Sequence, residues 1–295
     1  MTTFYRRLPR FDYVQPASLD EALSLFAQYQ KDAKPMAGGT DLIPQLKGRE
    51  VATPRVVVDL KAIPGLNGIS YDPAKGMAIG ALATITSVER SPVVMEHYPM
   101  LAQALTTLAS PQVRNRATIT GNICSAVPSA DSAPTLLAME AQVKAVSRKG
   151  ERLIPVTQFF MGPRQTVLAN DELITEIRIP APPARSRGVY LKLSPRKSMD
   201  LAVVGVAAFV VKEGDMCKDV RIALGAVAPT PIREPRAESA LQGKKMTDEA
   251  IEEAARAASS ECRPIDDHRA AREYRCDMVY VLTRRALAQI KEEAL

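Results

Sequence analysis

The chain has 295 residues, 46% of them hydrophobic and 24% charged. These are the proportions of an ordinary folded protein and exclude disorder, collagen-like repeats and coiled coil. Lys and Arg outnumber Asp and Glu by 39 to 33, giving a formal net charge of +6 that is spread along the chain without a dense basic run; with 5% aromatics to stack on bases, this excludes a nucleic-acid surface and leaves a mild bias toward anionic partners.

Ser18-Leu-Asp-Glu21 is a capping box, and Ala22, Leu23, Phe26 and Ala27 form the apolar stripe of a helix that ends near Gln30. A glycine turn, Pro35-Met-Ala-Gly-Gly-Thr-Asp41, leads into a helical turn over residues 42–46, and residues 56–60 read as a buried strand. Hairpin signals follow. Asp72-Pro-Ala-Lys-Gly76 separates strands at 69–71 and 77–80, and Lys149-Gly150 separates strands at 143–147 and 153–156. Between them, Thr86-Ser-Val-Glu89 reads as a second capping box, and Leu101, Leu105 and Leu108 mark a helix over 100–108. Residues 173–179 alternate as a strand, and Pro180-Ala-Pro-Pro183 is a linker. Residues 189–193, 201–211 and 220–227 form an antiparallel meander, with Glu213-Gly-Asp215 as a turn. Thr247 caps a further helix, and a long Arg-rich helix runs from about His268 to the end.

Residues 201–211, the longest apolar run, are too short to span a bilayer, and residues 1–9 carry charge with no apolar region behind them. Membrane insertion and export are therefore not expected. Cys124, Cys217, Cys262 and Cys276 are far apart with no C-x-x-C pair, so no zinc or iron–sulfur ligand set is expected in this chain, and a cytoplasmic location fits. The two histidines, His97 and His268, lack the clustering of a metal or Ser-His-Asp site and read as surface or capping residues.

Three segments could carry chemistry. In Ala37-Gly-Gly-Thr-Asp41 the paired glycines let consecutive N–H groups point into one concavity and cradle a pyrophosphate, with Thr40 adding a hydroxyl and Asp41 bracing its own loop; a plain turn is the alternative. Thr118-Ile-Thr-Gly-Asn122 reads as a strand that turns sharply at Gly-Asn, and Asp131 beyond it either accepts from sugar hydroxyls or caps a helix starting near Ala133. Lys192, a cation inside an apolar strand, sits either beside an anionic ligand or on a solvated face. No G-x-G-x-x-G after a strand and no P-loop is present.

Taken in order, Phe11-Asp-Tyr-Val-Gln-Pro16, the A-G-G-T-D loop, Gln112-Val-Arg-Asn-Arg-Ala-Thr-Ile-Thr-Gly-Asn122 and Asp131 resemble the medium, FAD-binding subunit of molybdenum hydroxylases. The likeness continues through Tyr190-Leu-Lys192, Asp200-Leu-Ala-Val-Val204, Arg272-Glu-Tyr-Arg275 and Arg284-Arg-Ala-Leu287. That family includes carbon monoxide dehydrogenase, nicotinate dehydrogenase and the flavin domain of xanthine dehydrogenase.

The resemblance implies an α+β protein. Two FAD-binding subdomains of the vanillyl-alcohol-oxidase/xanthine-dehydrogenase type, at 1–60 and 61–180, would precede a C-terminal domain at 185–295 with a three-stranded antiparallel sheet and helices. It implies a non-covalent FAD contacted by Pro35, Met36, Ala37, Gly38, Gly39, Thr40, Asp41 and Leu42 in one loop, and by Thr118, Ile119, Gly121 and Asn122 in a second. Leu108 would line the site, Asp131 would hold a sugar hydroxyl, Ile174 would pack on the isoalloxazine, and Lys192 would lie near the flavin and favour its reduced anion. No catalytic side chain and no metal ligand is implied here. The molybdenum cofactor and [2Fe-2S] clusters would belong to a large and a small partner subunit in a dimer of heterotrimers, with electrons leaving to NAD+ or another acceptor. A stand-alone flavin oxidase and an FAD-less structural module are the alternatives. The second loop departs from the family's usual T-I-G-G-N by placing Thr120 where a glycine stands, so the backbone there must accommodate a Cβ. The cysteine-bearing insertion of the 4-hydroxybenzoyl-CoA reductase branch is absent.

Overall fold

The computed structural model describes residues 7–293 apart from Lys197. Residues 1–6, part of the charged amino-terminal stretch, and 294–295, at the end of the long Arg-rich helix, lie outside the described residues.

The first layer comprises β1 (Asp12–Val14), α1 (Leu19–Tyr29), β2 (Ala33–Met36), α2 (Leu42–Gly48) and β3 (Val56–Asp59). The strands form a parallel sheet in the order β1-β3-β2. As the central strand, β3 is buried at all four residues, which is why its sequence is a continuous apolar run rather than an alternation. At α1, Ser18 Oγ accepts from the Glu21 amide at 3.2 Å and the Glu21 carboxylate accepts from the Ala17 amide at 2.8 Å. The box thus closes one residue ahead of Ser18. Ala22, Leu23 and Phe26 then pack on Val56 and Val58.

Next come β4 (Ile69–Asp72), β5 (Gly76–Gly80), α3 (Ile85–Glu89), α4 (Pro92–His97), α5 (Pro99–Thr106), α6 (Pro111–Arg114), α7 (Ile119–Cys124) and α8 (Ser132–Ala138). The strands β6 (Gln142–Ser147), β7 (Gly150–Pro155), the small hairpin β8 (Phe160–Gly162) and β9 (Gln165–Thr166), and β10 (Leu173–Ile179) complete this part. The main sheet is antiparallel in the order β4-β5-β10-β6-β7, so the late strand β10 joins two hairpins. Two expectations are corrected here. The cap of α3 is Thr84, whose hydroxyl accepts from the Ser87 amide at 3.1 Å, and not Thr86. The segment 118–122 is not a turned strand but the start of α7, capped by Thr118. Several of these helices span barely a turn, and α4, α5 and α6 each start on a proline at N1, where its missing N–H costs nothing.

The last part holds β11 (Ser186–Leu193), β12 (Val204–Glu213), β13 (Met216–Gly225), β14 (Ile232–Arg233), α9 (Pro235–Leu241), α10 (Asp248–Glu261) and α11 (Arg272–Glu292). The expected meander is present, and β14 adds a two-residue fourth strand through the pairs Ala223–Arg233 and Leu224–Ile232. Both faces of β12 are covered. Val206, Ala208 and Val210 pack with Ile251 and Leu287 of the helices, whereas Ala207, Phe209 and Val211 join the core that contains Leu101, Leu136 and Ile177. The sheet is therefore cemented to the preceding part of the chain by its second face. The long helix starts at Arg272, later than expected, because Asp266 accepts from the Arg272 amide at 2.7 Å and Asp267 holds the turn before it. Among the described residues no helix is long and apolar enough to cross a membrane.

Glu234, just ahead of α9, is 1% exposed. Burial, reinforced by Glu261 and Glu238, pushes its carboxyl up from 4.5 to about 8. Because the folded chain holds a proton that the unfolded chain releases, this site's contribution to stability is full below the ordinary value and lost as pH rises through about 8. Glu234→Gln is expected to remove that loss, making the variant more stable than the parent by roughly 3 kcal/mol near pH 9 and little different near pH 4. Denaturant titrations at the two pH values check this; parallel pH profiles for the two proteins would refute it.

Candidate functional site

The glycine loop after β2 presses against the chain entering α7. A Cβ on Gly38 would stand 1.9 Å from the Arg116 carbonyl oxygen and 3.0 Å from the Ala117 Cα, so no side chain fits there. Gly39 has φ +76°, in the left-handed region that favours glycine. Asp41 does not brace its own loop as expected. Its Oδ2 accepts from Ser125 Oγ at 2.5 Å, which ties the first loop to the end of α7. Thr118 Oγ1 accepts from the Gly121 amide at 2.9 Å, and Asn122 Oδ1 accepts from Ser132 Oγ at 2.7 Å, joining the second loop to α8.

A third tie comes from β3. Asp59, 1% exposed, accepts from Lys61 Nζ at 2.6 Å, from Gln15 Nε2 at 3.3 Å and from the Tyr13 hydroxyl. Burial alone would raise its carboxyl, but the Lys61 and Tyr13 hydrogen bonds hold it below its ordinary value. Lys61 also donates to the Ala37 carbonyl at 3.3 Å. The Tyr-x-Gln of the amino-terminal motif thus anchors the glycine loop through one buried carboxylate.

Between the two loops lies a cavity of about 550 Å³, within the range of small-molecule and cofactor sites. Residues 35–42, Leu108, Thr118, Gly121, Asn122, Asp131 and Ile174 all line it. Ile119 does not; it is 1% exposed and packs in the core beneath. Lys192 is not among the lining residues either. Reading the sequence assigned no site role to Cys124, to the stretch 168–170 or to the stretch 199–201, although Asp200 and Leu201 open one of the motifs that carry the family likeness. Burial pushes the Cys124 thiol up to about 12, which favours its protonated form. Thr120 also lines the cavity. It lies in the first turn of α7, where the backbone is helical, so a Cβ is accommodated without strain.

Asp131 is 6% exposed. It makes no helix-cap bond at α8, and its oxygens accept from the Tyr190 hydroxyl at 2.9 Å and from Lys192 Nζ at 2.8 Å. Tyr190 and Lys192 are two residues apart on β11 and therefore share a face. Burial pushes the Asp131 carboxyl above its ordinary value against the pull of Lys192 and Tyr190, and pushes the Tyr190 hydroxyl well up. Lys192 is neither on a solvated face nor free for a ligand. Its ammonium also donates to the carbonyls of Thr107 at 3.0 Å and Asp200 at 2.9 Å, so its three N–H donors are used.

His97 stacks on Tyr71 with ring centroids 4.3 Å apart, and His268 is exposed in the turn before α11. Neither reaches the cavity.

Comparison with known proteins agrees with this geometry. Residues 9–182 match the family model for the FAD binding domain in molybdopterin dehydrogenase, and residues 189–290 match that for the CO dehydrogenase flavoprotein C-terminal domain. The carbon monoxide dehydrogenase medium chain of Hydrogenophaga pseudoflava is 39% identical over 95% of this chain and 96% of its own. The glyceraldehyde dehydrogenase medium chain of Sulfolobus acidocaldarius is 34% identical over 96% and 99%. Among solved structures, carbon monoxide dehydrogenase from Hydrogenophaga pseudoflava superposes with a TM-score of 0.94 at 38% identity, covering 98% of this chain and 100% of that one. Quinoline 2-oxidoreductase from Pseudomonas putida 86 gives 0.90 at 30% identity, covering 97% and 98%. The chain belongs to the FAD-binding medium subunits of the molybdenum hydroxylase family.

Proposed function

We propose that this chain is the electron-transfer flavoprotein of a molybdenum hydroxylase. It would receive electrons from an iron–sulfur partner and pass them to NAD+ or another acceptor. The observation that carries this reading is the cavity between the two loops, whose shape depends on a backbone-to-backbone contact that only Gly38 permits. Relatives are named medium chains, which implies a small and a large partner, and a dimer of such heterotrimers is the assembly we infer. The molybdenum cofactor and the [2Fe-2S] clusters would reside in those partners.

FAD, when bound, supplies a centre that takes up electrons singly and gives them up in pairs. The residues present fit it. Backbone N–H groups of residues 38–41 and of Ile119 and Thr120 would bind the pyrophosphate without a cationic side chain, those of Gly121 and Asn122 being taken by Thr118. Each Asp131 oxygen accepts one bond and keeps a second lone pair, so the carboxylate can still receive a sugar hydroxyl. Ile174 and Leu108 offer apolar surface to the ring system. Lys192 acts at one remove, by holding Asp131 in place. Direct substrate oxidation at the flavin finds little support, because the described residues beyond 185 form one sheet with three helices and match the CO dehydrogenase flavoprotein C-terminal domain.

The complex purified with its partners should show a flavin absorbance and release FAD on denaturation; a colourless, fully assembled complex would sink the reading. Gly38→Ala must displace the Arg116 carbonyl, a distortion worth about 1–3 kcal/mol or more. That variant should fold, by circular dichroism, yet retain about tenfold less flavin. Lys192→Met leaves Asp131 buried with its charge unpaired and should lower stability by about 3 kcal/mol, with partial recovery when Asp131→Asn is added. Chemical denaturation of the three variants tests this, and additive losses would contradict it. Mixing the complex with NADH should bleach the flavin if NAD+ is the acceptor; bleaching by dithionite alone would exclude it.

A further inference from the structure

Cys262 and Cys276 are 14 residues apart, one at the C-cap of α10 and the other in the second turn of α11. Their Sγ atoms stand 2.9 Å apart, inside the van der Waals contact of two sulfurs. Closing to a disulfide bond of about 2.05 Å needs a shift of less than about 1 Å. The surrounding backbone is pinned for that closure. The Cys262 thiol donates to the Ser259 carbonyl at 3.1 Å, and Ser259 Oγ donates to the Cys276 carbonyl at 2.8 Å. Cys262 is buried, whereas Cys276 is half-exposed and open to a small reagent. Cys276 is the more accessible of the two, so it is the sulfur that meets a reagent first.

We propose that Cys262 and Cys276 are a reversible dithiol that a peroxide converts into an intramolecular disulfide, stapling the end of α10 to the start of α11. The Cys276 thiolate attacks one peroxide oxygen, the O–O bond breaks, and Cys276 becomes a sulfenic acid while the other oxygen leaves as water. The Cys262 sulfur then displaces the hydroxyl from Cys276, its proton leaves with that hydroxyl as a second water, and the S–S bond forms. Two thiols lose two electrons and two protons, and the peroxide gains them. A dithiol reductant reverses the step.

The staple closes the segment that contains Asp267. That residue accepts from Arg275 at 2.7 Å, and Arg275 also donates to the carbonyls of Val203 at 2.8 Å and Ala226 at 3.1 Å. The Ala226 amide in turn donates to Pro128 at 2.8 Å, in the loop that leads to Asp131. Oxidation would therefore stiffen the scaffold behind the cavity without altering any residue of its wall.

The full chain, reduced, freed of reductant and treated with hydrogen peroxide, would be digested without reduction and analysed by mass spectrometry. The expected product links the Cys262 and Cys276 peptides with the loss of two hydrogens, thiols titratable in denaturant fall from four to two, and dithiothreitol restores them. The thermal midpoint should rise by about 5 °C in the parent protein and not in Cys276→Ser. Unchanged thiol content, a dimer bridged through Cys276, a sulfinic acid at Cys276 without the link, or the same shift in Cys276→Ser would each overturn the proposal.

Discussion

Contact between the Gly38 position and the Arg116 carbonyl sets the distance between the loop after β2 and the turn that joins α6 to α7. Everything around the cavity follows from that spacing. With the β-carbon absent, the first loop rests directly on the chain entering α7, and Ser125 can reach Asp41 to lock the arrangement. Any larger residue would open a gap that the short Asp41–Ser125 bond could not span. The loops are positioned by backbone sterics first and by polar ties second, a rigid way to build a cradle.

Asp131 performs the corresponding task between the two larger parts of the chain. Its carboxylate sits on the cavity side, and the residues that hold it, Tyr190 and Lys192, come from β11. A carboxylate this buried is costly unless it is paired and hydrogen-bonded. Here both conditions are met, and the ammonium is further satisfied by two carbonyls. The C-terminal sheet is thus a structural component of the site, delivering the counter-charge that lets an acidic group exist in the wall. A truncation at the Pro180–Pro183 linker would take that counter-charge away from Asp131.

How far the sequence can be read depends on whether the signal is local. Residues 173–179 alternate because the strand has two distinct faces, and β10 has those limits. Residues 204–211 do not alternate, because the helices cover one face and the flavin-binding part covers the other; the apolar run is legible as a strand but its two environments are not. Of the proline-led helices, α5 shows a period in Leu101 and Leu105, whereas α4 and α6 escape notice because so few residues cannot display one. The two loops of the cavity wall and Asp131 were legible in the sequence, yet the partners of Asp131 were not. They lie 59 and 61 residues away, and only strand order brings them close. The cysteine pair is hidden for the same reason: a spacing of 14 matches no ligand or redox motif, whereas an α10–α11 hairpin brings the two sulfurs together.

These features make cofactor binding and folding one equilibrium. The wall draws residues from the parallel sheet's loop, from the central strand β10 and from the 199–201 segment ahead of β12, so the cavity exists only when all three sheets are docked. A ligand that binds that state and not the unfolded chain stabilises it by RT ln(1 + [L]/Kd), about 4 kcal/mol at a thousandfold excess over Kd. That is comparable to the cost of breaking a buried ion pair. The Asp131–Lys192 pair and a bound dinucleotide therefore act on the same docking equilibrium, and a defect in one can be masked by saturation with the other. Holding a redox centre at fixed distance from partner subunits requires a scaffold of this kind, in which the contacts that shape the cradle also join the domains.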